Sequence, residues 1–370
     1  MSRIVAVAPV VGAHAYPQEE ITATIAPLLT ADPARRALLE RLHAASGVRT
    51  RHLALPLAEY AGLTTFRDAN DAFIRVGTRL AADAAHAALD RAGLRPADVD
   101  YVFFTSVTGV AAPSLDALLV AELGLRPDVR RLPSFGLGCA GGAAGLGHVH
   151  DHLLAHPDHA ALLVSVELCS LTIQHGDDST ANLVASGIFG DGGAAVVMVG
   201  AAHPAAHPAG RPTARPTHVG GGACGPVPAV VDAATRTYPG TADQLGWTVG
   251  GSGFGIVLAP GLPDVVRAHL ADDVRGLLEP HDLKPRDVGA WVVHAGGPRI
   301  LDAVQEALDL DDEALHATRA SFADAGNLSS ASVLHVLAAT LDAPHQAGEW
   351  GVALAFGPGV GAELVLLRWG

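Results

Sequence analysis

The sequence predicts an α/β protein in which helices pack on sheet and one unit is duplicated, and three observations predict it. The first is composition. The 370 residues are 49% hydrophobic but only 5% aromatic, and 42 are glycine. A core of Ala, Val, Leu and Gly suits helices lying close to a sheet, with many tight turns. The second is a recurring order of helix, Pro-bearing turn and buried strand. The third is a Pro-, Ala- and His-rich stretch, residues 201–217, that can hold neither a helix nor a central strand. It reads as a linker or surface loop between halves spanning residues 1–218 and 219–370. Such a duplication predicts two similar halves packed about a pseudo-twofold axis.

The elements follow in order. MSRIVAVAPVVGAHAYP carries one charge and a short apolar run, which reads as an edge strand rather than a signal peptide. Residues 72–92 form an Ala-rich amphipathic helix leading into GLRPADVDYVFFTSVTG. In the second half a helix near 264–278 leads into DLKPRDVGAWVVHAGGP. Leu94, Pro96, Asp98 and Val99 match Leu283, Pro285, Asp287 and Val288 at one constant separation. The next unit recurs as well. GCAGGAAGLGHVHDHLL precedes the strand HAALLVSVELCS, and GNLSSASVLHVLAATL precedes GVALAFGPG. This register sets Cys139 against Asn327. Each half closes on a Gly turn and a strand, GGAAVVMVG and GAELVLLRW, and residues 171–190 are extra to the first half.

Several function classes are excluded by charge and residue usage. A net charge of −14 repels phosphate backbones, so nucleic acid is not an expected partner. No apolar run reaches the roughly 18 residues of a membrane span. Three cysteines, Cys139, Cys169 and Cys224, make neither a disulfide framework nor a paired metal motif. No metal is expected, and the expected compartment is the cytoplasm.

Three segments carry chemistry. In FGLGCAGGAAGLG, Cys139 sits at a sharp strand-to-helix turn, where free backbone N–H groups favour a thiolate. The bland reading is a buried structural thiol. Gly136, Gly138 and Gly141 also match a dinucleotide-binding fingerprint, although Glu167 lies further on than the usual ribose-binding acid. In WVVHAGGPRIL, His294 ends an apolar strand, where open α/β sheets place their sites. In AGNLSSAS, Asn327 opens a helix, either as an ordinary cap or as a site residue facing Cys139. Together a Cys and a His suit acyl transfer, and His and Asn N–H groups can hold an enolate oxygen.

At these residues the chain resembles the chalcone synthase superfamily, the type III polyketide synthases, over essentially its whole length. The motifs are GCAGG around Cys139, IFGDGGAA around Phe189, HAGGPRILD around His294, GNLSSAS around Asn327, and FGPGVGAE near the end. VTGVAAPSLDA, GLRPDVRRLP, SVELCSLT and NLVASGIFGDG resemble most the actinobacterial members that make alkylpyrones and alkylresorcinols. The resemblance implies the thiolase fold, αβαβα with two pseudo-symmetric halves, and a homodimer. It implies Cys139 as nucleophile, with His294 and Asn327 as the decarboxylating and enolate-stabilising pair. Phe189 becomes the gate between CoA tunnel and cavity. Phe356, Gly357, Pro358 and Gly359 become the loop shaping the cavity wall.

Further cavity residues follow from the same resemblance: Val107, Ala112, which replaces a Met and precedes a cis Pro113, and Gly253. Smaller apolar walls argue for an acyl chain. The lack of a thiol near Val107 argues against a tetrahydroxynaphthalene synthase. The implied substrates are an aliphatic acyl-CoA starter and malonyl-CoA, with methylmalonyl-CoA left open. No cofactor is needed beyond the CoA thioesters. Arg49 and Arg51 are candidates for the CoA phosphates, against a reading as solvated surface charge. The implied product is an alkylpyrone or alkylresorcinol. Alternatives are a tetrahydroxynaphthalene-type synthase using malonyl-CoA alone, or a ketoacyl carrier-protein synthase III. HAGGPRI disfavours the last, since that group typically shows His-Gln-Ala-Asn.

Overall fold

The computed structural model describes residues 1–206 and 227–370. The boundary expected after residue 218, most of the Pro-rich stretch 201–217 and Cys224 lie outside the described residues. Residues 201–206 form turns, ending in the single 3-10 turn Pro204–Ala206.

Strand β1 (Ser2–Val11) opens the chain. The short strands β2 (His14–Pro17) and β3 (Thr50–Leu53) pair antiparallel and bracket α1 (Gln18–Leu29) and α2 (Pro33–Ala44). Helix α3 (Phe66–Ala92) starts earlier than its apolar pattern indicates. Thr65 and Asp68 form a capping box there, satisfying N–H groups that a first turn leaves free. Gly93 ends the helix in the left-handed conformation. Then follow β4 (Tyr101–Thr105), α4 (Leu115–Leu123), β5 (Arg130–Ser134), α5 (Gly141–Ala155), β6 (Ala160–Leu168), α6 (Thr180–Ile188) and β7 (Asp191–Val199). The second half holds β8 (Pro228–Thr237), the hairpin β9 (Leu245–Gly250) and β10 (Gly253–Leu258), α7 (Leu262–Leu278) and β11 (Val288–Val293). It ends with α8 (Pro298–Leu308), α9 (His316–Ala325), α10 (Ser332–Leu341), β12 (Trp350–Gly357) and β13 (Gly361–Trp369).

Nine strands form one sheet in the order β11-β12-β13-β8-β1-β7-β6-β4-β5. In the first half β4 runs parallel to β6, and β6, β7 and β1 alternate. In the second half β11 runs parallel to β12, and β12, β13 and β8 alternate. The two patterns meet where Ser2 faces Val230 and Arg3 faces Ala229. The repeat read from the sequence is therefore a repeat of strand pairing. The matched Pro-bearing turns are both single 3-10 turns, Pro96–Asp98 and Pro285–Asp287, each leading into a buried strand.

Helix α3 covers the outer face of the first half. Helices α7 and α8 cover the outer face of the second. Helices α5 and α10 lie between the two halves and touch strands of both. This helix–sheet–helix–sheet–helix order is the thiolase-type arrangement implied by the motifs. The core strands are almost wholly buried. Each fully buried Val or Leu contributes about 1.5–3 kcal/mol of transfer free energy.

Two features differ from the sequence reading. β1 is no edge strand. It sits between β7 and β8, because Ile4, Val5, Ala6, Val7 and Ala8 bury both faces of a ten-residue strand. β5 was not legible, because Arg130-Arg131-Leu132-Pro133-Ser134 is an exposed edge with a proline and no alternating pattern. The Ala112–Pro113 bond is cis, as the family motif implies. Among the described residues no helix is long and apolar enough to cross a membrane.

Candidate active site

Cys139 lies in a 3-10 turn, Gly138–Ala140, at the head of α5. Its pseudo-symmetric partner is a second 3-10 turn, Ser329–Ala331, at the head of α10. The two heads pack directly on one another. A Cβ on Gly142 would stand 2.2 Å from the Ser330 carbonyl oxygen, so only glycine permits this approach. Gly138 has φ 52°, and a Cβ there would lie 2.4 Å from the Pro358 ring. The same packing removes the dinucleotide reading. The glycines at the head of α5 meet Thr105 and Ser330, where a pyrophosphate would need open space.

Cys139, His294 and Asn327 come together on one cavity of about 400 Å³, with Phe189 and Phe356 on its wall. The Cys139 thiol donates to Ser329 Oγ at 3.6 Å. Burial pushes that thiol up to about 12, with the Glu167 carboxylate adding to the effect and the Ser329 contact opposing it. His294 directly follows β11, its backbone N–H bonded to the Leu354 carbonyl at 2.9 Å. Burial lowers its imidazole to about 4, and Nδ1 has no partner. Burial thus disfavours the charged form of both side chains. The thiolate favoured by the helix terminus alone is outweighed by desolvation.

Asn327 caps its turn and also lines the cavity. Its Oδ1 accepts the Ser329 N–H at 2.8 Å and so caps the turn. Its Nδ2 donates to the Gly296 carbonyl at 3.3 Å beside the cavity, and its side chain also bonds the Cys139 thiol. Ser329 is held at φ 48°, a region sparse for residues other than glycine.

Beneath the two helix heads lies Glu167, fully buried in β6. It accepts from Thr108 Oγ1 at 2.9 Å, the Val107 N–H at 3.0 Å, Ser106 Oγ at 3.3 Å and Ser330 Oγ. It therefore ties the first half to the head of α10. Burial pushes its carboxyl up, and these donors oppose the shift. Its signal in the sequence was a lone carboxylate in an apolar strand, AALLVSVEL.

The remaining sequence candidates divide. Phe189 ends α6 and lines two spaces, the 400 Å³ cavity and a chamber of about 20 Å³. Phe356 lines the larger one, whereas Gly357 and Pro358 back the Cys139 turn, and Gly359 accepts from Thr241 Oγ1 at 3.0 Å. Val107, Ala112 and Gly253 line neither space. Val107 is held on Glu167, Ala112 is exposed, and Gly253 faces the Phe66 ring, which a Cβ there would meet at 3.0 Å. The two arginines chosen for CoA also lie off the cavity. Arg49 is exposed and paired with Asp324. Arg51 is 1% exposed and bonded inside the protein. Arg299, at the start of α8, is exposed on the rim of the 400 Å³ cavity and was missed. Cys169 was missed too as a second thiol, on the small chamber. Among the described residues no group of three or more His, Cys, Asp or Glu could hold a metal ion.

Comparison with known proteins adds to this geometry. Residues 1–204 match the family described as chalcone and stilbene synthases, N-terminal domain, and residues 229–369 match its C-terminal domain. A 1,3,6,8-tetrahydroxynaphthalene synthase of Streptomyces peucetius subsp. caesius is 53% identical over 96% of this chain and 90% of its own length. The solved structure of the 1,3,6,8-tetrahydroxynaphthalene synthase of Streptomyces coelicolor superposes with a TM-score of 0.87 at 32% identity, covering 99% of each chain. An alpha-pyrone synthesis polyketide synthase-like protein of Mycobacterium tuberculosis is 30% identical over 90% of this chain and 83% of its own length. The chain is thus more closely related to tetrahydroxynaphthalene synthases of actinobacteria than to the pyrone-forming relative. This corrects the finer resemblance to alkylpyrone and alkylresorcinol synthases.

Proposed function

The chain belongs to the chalcone and stilbene synthase family and is a type III polyketide synthase condensing CoA-linked substrates, and we propose that it uses malonyl-CoA alone to build an aromatic product of the tetrahydroxynaphthalene kind. The observation that carries this reading is the 53% identity along nearly the whole chain to an enzyme of that name. The small chamber behind Phe189 supports it. At about 20 Å³ it has no room for an aliphatic starter, and its mixed walls set Arg51, Cys169, Ser170 and Thr172 beside Ile173, Trp247 and Ile256.

In this proposal Cys139 attacks the thioester carbonyl while His294 takes the thiol proton, and the CoA thiolate leaves with that proton. Malonyl-CoA then binds with its thioester oxygen toward the N–H groups of His294 and Asn327. The carboxylate carbon–carbon bond breaks, carbon dioxide leaves, and the electron pair moves onto the oxygen those groups hold. The apolar walls and the Phe189 ring exclude water from the departing carboxylate. The enolate attacks the acyl group on Cys139, and the sulfur leaves as the new carbon–carbon bond forms. The extended chain, now on CoA, returns to Cys139. Arg299, rather than Arg49, supplies a cation for the CoA phosphates. A homodimer is part of the reading, because the exposed β5 edge carries Leu132 and Phe135 beside it.

The test is incubation with malonyl-CoA alone and with a panel of acyl-CoA starters. A single aromatic product that forms without any starter is expected. A strict requirement for an acyl-CoA starter, with pyrone or resorcinol products carrying its alkyl chain, overturns the proposal.

A further inference from the structure

Phe189 separates the 400 Å³ cavity from a chamber of about 20 Å³, which Arg51, Cys169, Thr172 and Trp247 help to enclose. That volume accepts one water-sized polar group. Among the described residues Arg51 is the only cationic side chain on its wall. Two of its three guanidinium nitrogens are committed. Nε donates to Gln18 Oε1 at 2.9 Å, and Nη1 donates to the carbonyls of Ser186 at 2.6 Å and Phe189 at 2.9 Å. Nη2 is buried and has no partner.

Among the described residues Arg51 forms no ion pair. The nearest balancing charge is Asp191, which acts on it through space. The Asp191 carboxylate already accepts the N–H groups of Ala54 at 2.6 Å and Ser170 at 2.8 Å, as well as Ser170 Oγ. A buried cation with an unused N–H is costly, and the cost is recovered only when an acceptor arrives. A growing β-keto chain brings such acceptors. It carries a carbonyl on alternate carbons, and the acidic carbon between two carbonyls makes the enolate form accessible. An enolate oxygen is a charged acceptor matched to a guanidinium donor.

We propose that Arg51 Nη2 binds one carbonyl or enolate oxygen of the growing β-keto chain behind Phe189, favouring further extension over early release. The proposal rests on the polyketide synthase reading. Arg51 touches the chain but not the bond being formed, so it is a specificity-determining residue rather than a member of the Cys139 machinery. Its Nη1 bond to the Phe189 carbonyl links occupancy of the chamber to the ring that guards it.

The test has two arms. In the first, Arg51→Lys is compared with the unaltered chain on malonyl-CoA, and products are sorted by length. The ratio of full-length aromatic product to truncated lactones is expected to fall at least about tenfold, whatever happens to total turnover. A fall in turnover with an unchanged ratio assigns Arg51 a structural role only and overturns the proposal. In the second arm the unaltered chain is offered acetoacetyl-CoA or butyryl-CoA with malonyl-CoA. These four-carbon starters differ at the β-oxygen. At least about tenfold higher kcat/KM for acetoacetyl-CoA is expected, and equal values overturn the proposal even if Arg51→Lys does not fold. Absence of any condensed product in either arm would instead count against the underlying function.

Discussion

Phe189 and Asn327 lie side by side as an isolated parallel bridge. The Asn327 N–H donates to the Ile188 carbonyl at 2.7 Å, and the Gly190 N–H donates to the Asn327 carbonyl at 3.0 Å. The wall between the two chambers and the amide beside Cys139 are therefore set by one pair of backbone bonds. Gly190 is where this can be broken. A Cβ there would stand 2.4 Å from the Ala325 carbonyl oxygen. Gly190→Ala should displace Phe189 and Asn327 together, at a cost of about 1–3 kcal/mol. Decarboxylation and condensation should fall in parallel in a steady-state assay. Loss of one without the other would show that the two residues are positioned separately.

The division of labour proposed for Cys139 and Asn327 predicts unequal losses. Cys139→Ala should abolish condensation while release of carbon dioxide from malonyl-CoA continues. Asn327→Ala removes the proposed enolate donor, and loss of one such donor costs about 10²–10³ in rate. It also removes the Oδ1 cap on the Ser329 N–H. Parallel assays of carbon dioxide and product separate the roles. Full decarboxylation by Asn327→Ala would remove Asn327 from that step.

Glu167 gathers donors from both halves, so its substitution should be felt in stability. Glu167→Gln offers one acceptor oxygen in place of two and turns an N–H₂ group toward hydroxyls and a backbone N–H. A loss of about 2–4 kcal/mol is expected in urea unfolding, from buried donors left unpaired. An unchanged midpoint would mean that the two helix heads are held by packing alone.

His335, on α10, predicts an acid-side effect. Its Nε2 lies 2.8 Å from the Gly193 carbonyl, and burial lowers its imidazole from 6.5 to about 4. Below pH 6.5 the unfolded chain takes up a proton that the folded chain refuses. Its contribution is therefore present above 6.5 and lost as pH falls toward 4. Relative to His335→Gln, the unaltered chain should lose about 3 kcal/mol of unfolding free energy between pH 7.5 and pH 4. A difference that stays constant with pH would contradict burial as a neutral imidazole.

The architecture was legible wherever local pattern and repeat agreed. The Pro96 and Pro285 turns, the strands that follow them, and the helices headed by Cys139 and Asn327 all repeat in the sequence and in space. β1 was misplaced because a short apolar run does not say how many neighbours a strand has. β5 was missed because an edge strand with Arg, Arg and Pro carries no apolar period. At the site, residue type, flanking glycines and the family motifs singled out Cys139, His294 and Asn327, which share one cavity. Arg51 was misread because its burial is a tertiary fact. Nothing in GVRTRHL marks one arginine as exposed and the other as enclosed by α6. Cys169 went unassigned for the same reason.

The most direct test of the central claim is mass spectrometry of the protein quenched during turnover with malonyl-CoA as the only substrate. The account predicts malonyl-derived acyl groups on the peptide bearing Cys139, lengthening by successive two-carbon units and ending in release of an aromatic product. Acyl groups on Cys169 instead, or none on any cysteine while product accumulates, would contradict it.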